Sequence, residues 1–140
     1  MTLYLDTSSL VKLYVAEPGS DTVRRLVDQA AVVATSSLAY PEARAALARR
    51  RREHMLTPSA FTRAKRALEA DWARYLTVDA SASICRTAGD LAERYRLRGF
   101  DSVHLASYLE VARRAGVRTT QFCAYDDRLN TAARAAARAL

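Results

Sequence analysis

Four short β-prone runs, each followed by capping residues and then by an apolar stripe of helical period, constrain this chain more than any other feature of it. The runs are Thr2 to Leu5, Ala31 to Ala34, Tyr75 to Val78 and Gln121 to Tyr125. Tight hairpin turns do not join them. Each pair is separated by enough chain for one or two helices, the connection that parallel strands require. The alternation predicts an α/β sandwich with a central, mainly parallel sheet flanked by helices. The chain has 140 residues, half of them hydrophobic, with four Gly and three Pro. It is long enough to bury a core as one domain over 1–140, with no linker or internal repeat.

Asp6-Thr7-Ser8-Ser9 supplies caps before Leu10, Val11, Leu13 and Tyr14, so a strand should turn tightly into a helix there. Pro18 and Gly19 end that helix, and Ser20 or Asp21 caps another to about Gln29. Ser36 and Ser37 offer caps for a helix through Glu42 to about Glu53, with Pro41 tolerated in or beside the first turn. Thr57-Pro58 is a capping hydroxyl followed by proline at the first helical position, and predicts a helix to about Ala73. From Ala80 the residues Ile84, Ala88, Leu91, Ala92 and Tyr95 recur at helical spacing until Arg98-Gly99. Asp101-Ser102 restarts the pattern through Leu105, Leu109 and Ala112 to Gly116. Leu129, Ala132, Ala133, Ala136 and Leu140 make a last stripe.

Four acids recur at these junctions: Asp6, Glu42, Asp101 and Asp126. In open parallel sheets the site lies beyond the carboxyl ends of the strands, where strand order reverses. Asp6 and Asp126 are expected at such ends, and Glu42 and Asp101 early in helices that start on the same side. Carboxylates gathered in one pocket repel one another unless a cation compensates, and all-oxygen ligands suit Mg²⁺ or Mn²⁺. Each acid has a plainer role open to it: Asp6, Asp101 and Asp126 are good helix caps, and Glu42 suits a helix dipole.

The formal charge is +7, with Lys12 and Lys65 as the only lysines among 22 basic residues. Guanidinium groups bind phosphate through paired hydrogen bonds, so the excess points to a polyanion such as RNA, unless it reflects only an Arg-rich composition. Acids within a basic chain fit that partner if a metal ion mediates, which makes metal-dependent cleavage of nucleic acid the leading expectation. Arg49 to Arg52 suit either a helix C-terminus or a phosphate-contacting patch. Trp72, Tyr75, Tyr95 and Tyr108 suit base stacking or, equally, a core or interface. His104, three residues after Asp101, is expected as a partly buried structural imidazole. Cys85 and Cys123 lack any zinc-ligand spacing and are expected to be buried. No apolar run is long enough to span a bilayer, and a cytoplasmic protein is expected.

Four segments, in order and across nearly the whole chain, carry a family resemblance: YLDTSSLVKLY, SSLAYPEARAAL, LRGFDSVHLAS and FCAYDDRLNTAA. The chain resembles PIN-domain ribonucleases of the VapC toxin type. The resemblance implies a PIN-like three-layer sandwich, Mg²⁺- or Mn²⁺-dependent endoribonuclease activity, a homodimer, and inhibition by a cognate antitoxin protein. It also implies that Asp6, Glu42, Asp101 and Asp126 are the acidic metal ligands and that Ser8 helps to hold the site. Asp127 doubles the last acid, and spacing from the preceding strand favours Asp126.

The rival phosphotransfer folds fit less well. A receiver-like domain needs a Lys beside a late strand, and a haloacid-dehalogenase-type phosphatase needs Asp-x-Asp where this chain has Asp6 and Ser8. The non-enzymatic alternative is a basic RNA- or protein-binding module whose acids are only caps.

Overall fold

The computed structural model describes every residue, Met1–Leu140. Four strands, β1 (Thr2–Leu5), β2 (Val32–Ser36), β3 (Leu76–Val78) and β4 (Thr120–Cys123), form one parallel sheet in the order β3-β2-β1-β4. The chain steps outward from β1 to β3 and then returns to lay β4 on the far side of β1. Strand order therefore reverses at β1, and a crevice opens beyond the carboxyl ends of β1 and β4.

Side-chain alternation along the strands divides the interior in two. Leu3, Leu5, Val33 and Cys123 face one side, packed under α1 (Thr7–Val11), α2 (Ser20–Gln29), α3 (Ala39–Arg52) and α4 (Pro58–Trp72). Tyr4, Ala34 and Phe122 face the other, against α6 (Gly99–Ala115) and α7 (Asp127–Ala137). A smaller cluster of Ala88, Val103 and Ala106 joins α5 (Ala82–Tyr95) to α6. The result is the expected three-layer α/β sandwich. Tyr4 is fully buried, with its ring stacked on Phe122 and edge-on to Tyr108.

Most starts follow their caps. Thr57 Oγ1 accepts from the Ala60 amide at 3.1 Å with Pro58 at the first helical position, and Ser81 Oγ accepts from the Ile84 amide at 3.2 Å.

Four boundaries differ from expectation. The first helix ends at Val11 rather than reaching Tyr14, where the chain turns toward Pro18. β2 runs on through Ser36, whose hydroxyl accepts from the Leu38 amide, while Ser37 Oγ accepts from the Ala80 amide at 3.2 Å. Ser37 thus ties the end of β2 to the start of α5 instead of capping α3. Arg96 adopts a left-handed conformation (φ 56°) that stops α5, so α6 starts at Gly99 and Asp101 sits inside its first turn. β4 ends at Cys123, because Ala124 and Tyr125 already turn toward α7.

Tyr125 reaches across to donate to the Gly19 carbonyl at 3.2 Å. A Cβ at Gly19 would lie 2.7 Å from the Tyr125 hydroxyl, and the φ of 94° there also favours glycine.

Candidate active site

Asp6 follows β1 directly and caps α1. Its Oδ1 accepts from the Ser9 amide at 2.9 Å, and the Ser8 hydroxyl bridges both carboxylate oxygens at 2.8 and 2.9 Å. The backbone here is pinned to β4: the Asp6 amide and Ser9 Oγ both donate to the Cys123 carbonyl, at 3.2 and 2.9 Å. Asp6 is therefore a cap and, at the same time, a buried carboxylate held at the switch point. Burial pushes its pKa up, against the opposing pull of the Ser9 amide and the Ser8 hydroxyl.

Asp126 lies three residues beyond β4 and caps α7 through the Leu129 amide at 2.8 Å, leaving its second oxygen without a hydrogen bond inside the protein. Asn130 Nδ2 donates to the Ala124 carbonyl at 2.8 Å and holds the turn that presents Asp126. Asp127 is exposed at the start of α7 and lines the same pocket as Asp126.

Asp101 is half-buried in the first turn of α6, with one oxygen 3.6 Å from Arg98 Nε. Burial raises its pKa. Arg98 opposes the rise, while the nearby Asp126 and Asp6 add to it. That mutual repulsion places the three aspartates in one electrostatic neighbourhood.

Glu42 lies in the first turn of α3 and belongs to a different network. Its Oε1 accepts from Thr7 Oγ1 at 2.6 Å and from His104 Nε2 at 3.0 Å, and His104 Nδ1 meets the Tyr4 hydroxyl at 2.9 Å. An ionised carboxylate only accepts, so the His104 proton belongs on Nε2 and Nδ1 accepts from Tyr4. Burial works to raise the Glu42 pKa, but the hydrogen bonds from His104 and Thr7 prevail and hold it below its ordinary value. His104 is 2% exposed, so it is the structural imidazole expected, with the added task of orienting Glu42. Sequence spacing from Asp101 carried no sign of the contact with Glu42, which is 62 residues away.

The acids line two adjoining pockets. Asp101, Asp126 and Asp127 share one of about 420 Å³ with Arg96, Arg98 and Arg128, and Glu42 and Asp101 share another of about 820 Å³. No three of the acidic, His or Cys side chains stand close enough to enclose one ion in this arrangement. In chemical type the set fits a hard divalent cation: Asp6, Glu42, Asp101 and Asp126 offer carboxylate oxygens only, and the aspartates carry repulsion that a cation would relieve.

Other expectations resolve differently. Tyr108 is core, Tyr95 packs at its margin, and Trp72 and Tyr75 pack edge-on to each other beside α4. None is placed to stack on a base at the acids. Cys123 is buried as expected, but Cys85 is exposed, because α5 turns that face outward at the rim of the larger pocket. Two rim residues were missed. Arg98 and Phe100 fall where the helical pattern breaks, and nothing in the local sequence marks their exposure.

Comparison with known proteins agrees with this fold. The PIN domain family model matches residues 3–134. Ribonuclease VapC45 of Mycobacterium tuberculosis is 42% identical over 134 residues, covering 96% of this chain and 90% of the relative. Ribonuclease VapC46 of the same species is 35% identical over 132 residues, covering 94% and 90%. Among solved structures, the sarcin-ricin loop cleaving toxin VapC20 of M. tuberculosis shares the fold at a TM-score of 0.68 and 22% identity, over 93% of this chain and 94% of that one. VapBC2 of Rickettsia felis, bound to a DNA fragment from its promoter, aligns at a TM-score of 0.56 and 15% identity, over 90% and 100%.

Proposed function

The chain belongs to the PIN-domain family, and from that premise we propose that it is a metal-dependent endoribonuclease, the toxin of a toxin–antitoxin pair, that hydrolyses RNA phosphodiester bonds. The observation that carries the reading is that Asp6 follows β1 and Asp126 follows β4 at the point where strand order reverses, with Asp101 electrostatically close to both, inside a chain of net charge +7. A ribonuclease relative at 42% identity over nearly the whole chain supports it.

Asp6, Glu42, Asp101 and Asp126 would hold Mg²⁺ or Mn²⁺. Such an ion supplies positive charge that acidifies water and stabilises the charge developing on the phosphate. The protein's own residues prepare the place. Ser8 locks the Asp6 carboxylate, and His104 and Thr7 keep Glu42 ionised and oriented. Arg96, Arg98 and Arg128 ring the smaller pocket and draw the RNA backbone toward acids that would otherwise repel it.

No helix is long and apolar enough to cross a membrane, and the proposed setting is the cytoplasm. A protein antitoxin and a second copy of the chain are the proposed partners. The toxin–antitoxin assembly that shares the fold, VapBC2, supports the first.

The test is cleavage of a pool of structured RNAs with Mg²⁺ or Mn²⁺, with EDTA, and with Asp6→Asn. Metal-dependent cutting that the substitution abolishes is the expected result. An Asp6→Asn protein that cuts as well as the parent overturns the assignment. RNA binding indifferent to metal, with no cutting of any RNA, supports a binding module instead.

A further inference from the structure

Phe100 is 60% exposed, although the helix it begins is buried almost throughout from Ser102 to Ala112. A Phe side chain left in water forgoes the gain of burial, and this one stands immediately before Asp101. It borders the pocket of about 820 Å³, a size that suits a small ligand. Its lining combines the apolar Leu38, Ala80 and Val103 with the polar Glu42, Asp101 and Arg98.

Arg98 and Asp101 also line the neighbouring pocket with Arg96, Arg128 and Asp126. The two pockets therefore meet at the acids, one apolar and aromatic, the other rich in guanidinium. Tyr125, the other exposed aromatic beyond the strand ends, is already engaged by the Gly19 carbonyl and by Lys12, 4.5 Å from its ring centre.

We propose that the pocket beside Glu42 and Asp101 receives one unstacked base of a single-stranded RNA segment, with Phe100 as its stacking platform. The inference rests on the nuclease reading and deepens it by assigning a base subsite beside the acids. Single-stranded RNA is held by bases stacked on aromatic rings while its phosphates contact basic groups, and the paired pockets present those two surfaces side by side. A strand laid across Asp101 puts a base against Phe100 and the adjoining phosphate among Arg96, Arg98 and Arg128.

Cys85 makes the pocket observable, since it is the exposed thiol on its wall and Cys123 is buried. The experiment compares a fluorescein-labelled single-stranded RNA 12-mer of mixed sequence with an abasic strand of the same length, in EDTA. It follows strand affinity by anisotropy and the rate of Cys85 alkylation by iodoacetamide. In parallel, KM and kcat are measured for metal-supported cleavage of the 12-mer.

Stacking energies predict that Phe100→Ala weakens binding of the normal strand, and raises KM, at least about fivefold, while Phe100→Trp restores both. The normal strand should slow Cys85 alkylation several-fold and the abasic strand should not. Equal affinity and KM for Phe100→Ala, or Cys85 alkylated at an undiminished rate under saturating 12-mer, overturns the base subsite while leaving the nuclease intact. Protection by both strands alike assigns the pocket to the backbone and also overturns it. A wild-type protein that neither binds nor cuts any RNA overturns the nuclease reading and this inference together.

Discussion

Replacing His104 by alanine separates the two networks that meet at the site, and its cost follows from what each partner loses. The Tyr4 hydroxyl is fully buried and gives up its acceptor, a loss of about 1–3 kcal/mol for a group left unsatisfied. Ser107 beside it carries a buried hydroxyl with no partner and can take up part of that bond, which favours the lower figure. Glu42 loses one of two donors. A charge-assisted bond contributes about 1.5–3 kcal/mol, reduced here because the carboxylate is 24% exposed and water can replace the imidazole. With the void left by the ring, the sum is about 3 kcal/mol. At about 2.1 cal/mol/K per residue, a chain of this length melts with an entropy near 0.3 kcal/mol/K, so Tm should fall by about 10 °C.

Urea and thermal unfolding of His104→Ala, Glu42→Gln and the double variant test this directly. Residues in contact should give a coupling of about 1–2 kcal/mol. NMR titration supplies an independent readout: without His104 the burial of Glu42 is less opposed, and its pKa should rise from its lowered position. A cost below about 1 kcal/mol, together with a coupling indistinguishable from zero, would refute the network.

Asp6→Asn should abolish RNA cleavage with little loss of stability, because Asn still caps α1, whereas Asp6→Ala adds about 1 kcal/mol of destabilisation in urea melts. Asn130→Ala frees the turn that presents Asp126 and should lower kcat several-fold at an RNA affinity close to the parent's, as cleavage kinetics and anisotropy would show. Glu17 is pushed up by its own burial, but Lys12 and Arg50 outweigh this and hold its pKa below the ordinary value. A depressed folded pKa contributes stability above the unfolded pKa and loses it as pH falls through the folded one. Glu17→Gln should therefore flatten the acid limb of stability against pH, measured by urea unfolding from pH 7 down to below the usual glutamate range. Substituting the exposed Arg49, Arg51 and Arg52 with Gln should reduce the slope of log affinity for single-stranded RNA against log salt by up to about 2 if all three contact phosphate, and leave it unchanged if they only complement the helix terminus.

Where a signal was local, it could be read from the sequence. Thr57-Pro58 set the start of α4, and the β-prone run Thr2 to Leu5 is β1. The carboxyl-end positions of Asp6 and Asp126 follow from strand-to-helix turns that short windows reveal. What escaped depended on groups far apart in the chain. Ser37 was read as a cap because its neighbours suit one, yet the amide it accepts from is Ala80. His104 gave no hint that it bonds Glu42 and Tyr4, since neither lies on its own helix. Phe100 was passed over because a lone aromatic at a break in periodicity looks like any other apolar residue, and only the packing of α5 against α6 leaves it outside.

The environments of the four acids differ in a way that matters for what the site can do. Glu42 is surrounded by donors, which hold its pKa below the ordinary glutamate value and fix its direction. Asp6 and Asp101 are raised by burial, and Asp101 further by the charges beside it, so the full negative charge of the cluster is costly to assemble without a cation. Arg98 supplies some compensation, but its side chain is largely exposed and its 3.6 Å contact with Asp101 is a weak surface pair. A guanidinium so loosely held is easily drawn from Asp101 to a phosphate. Were a divalent ion to neutralise the aspartates, the arginines Arg96, Arg98 and Arg128 at the same pocket would become an attractive surface for the RNA backbone. Metal and substrate binding should then reinforce each other, each removing charge that opposes the other. The two affinities, measured separately and together, should differ by the same factor in either order of addition.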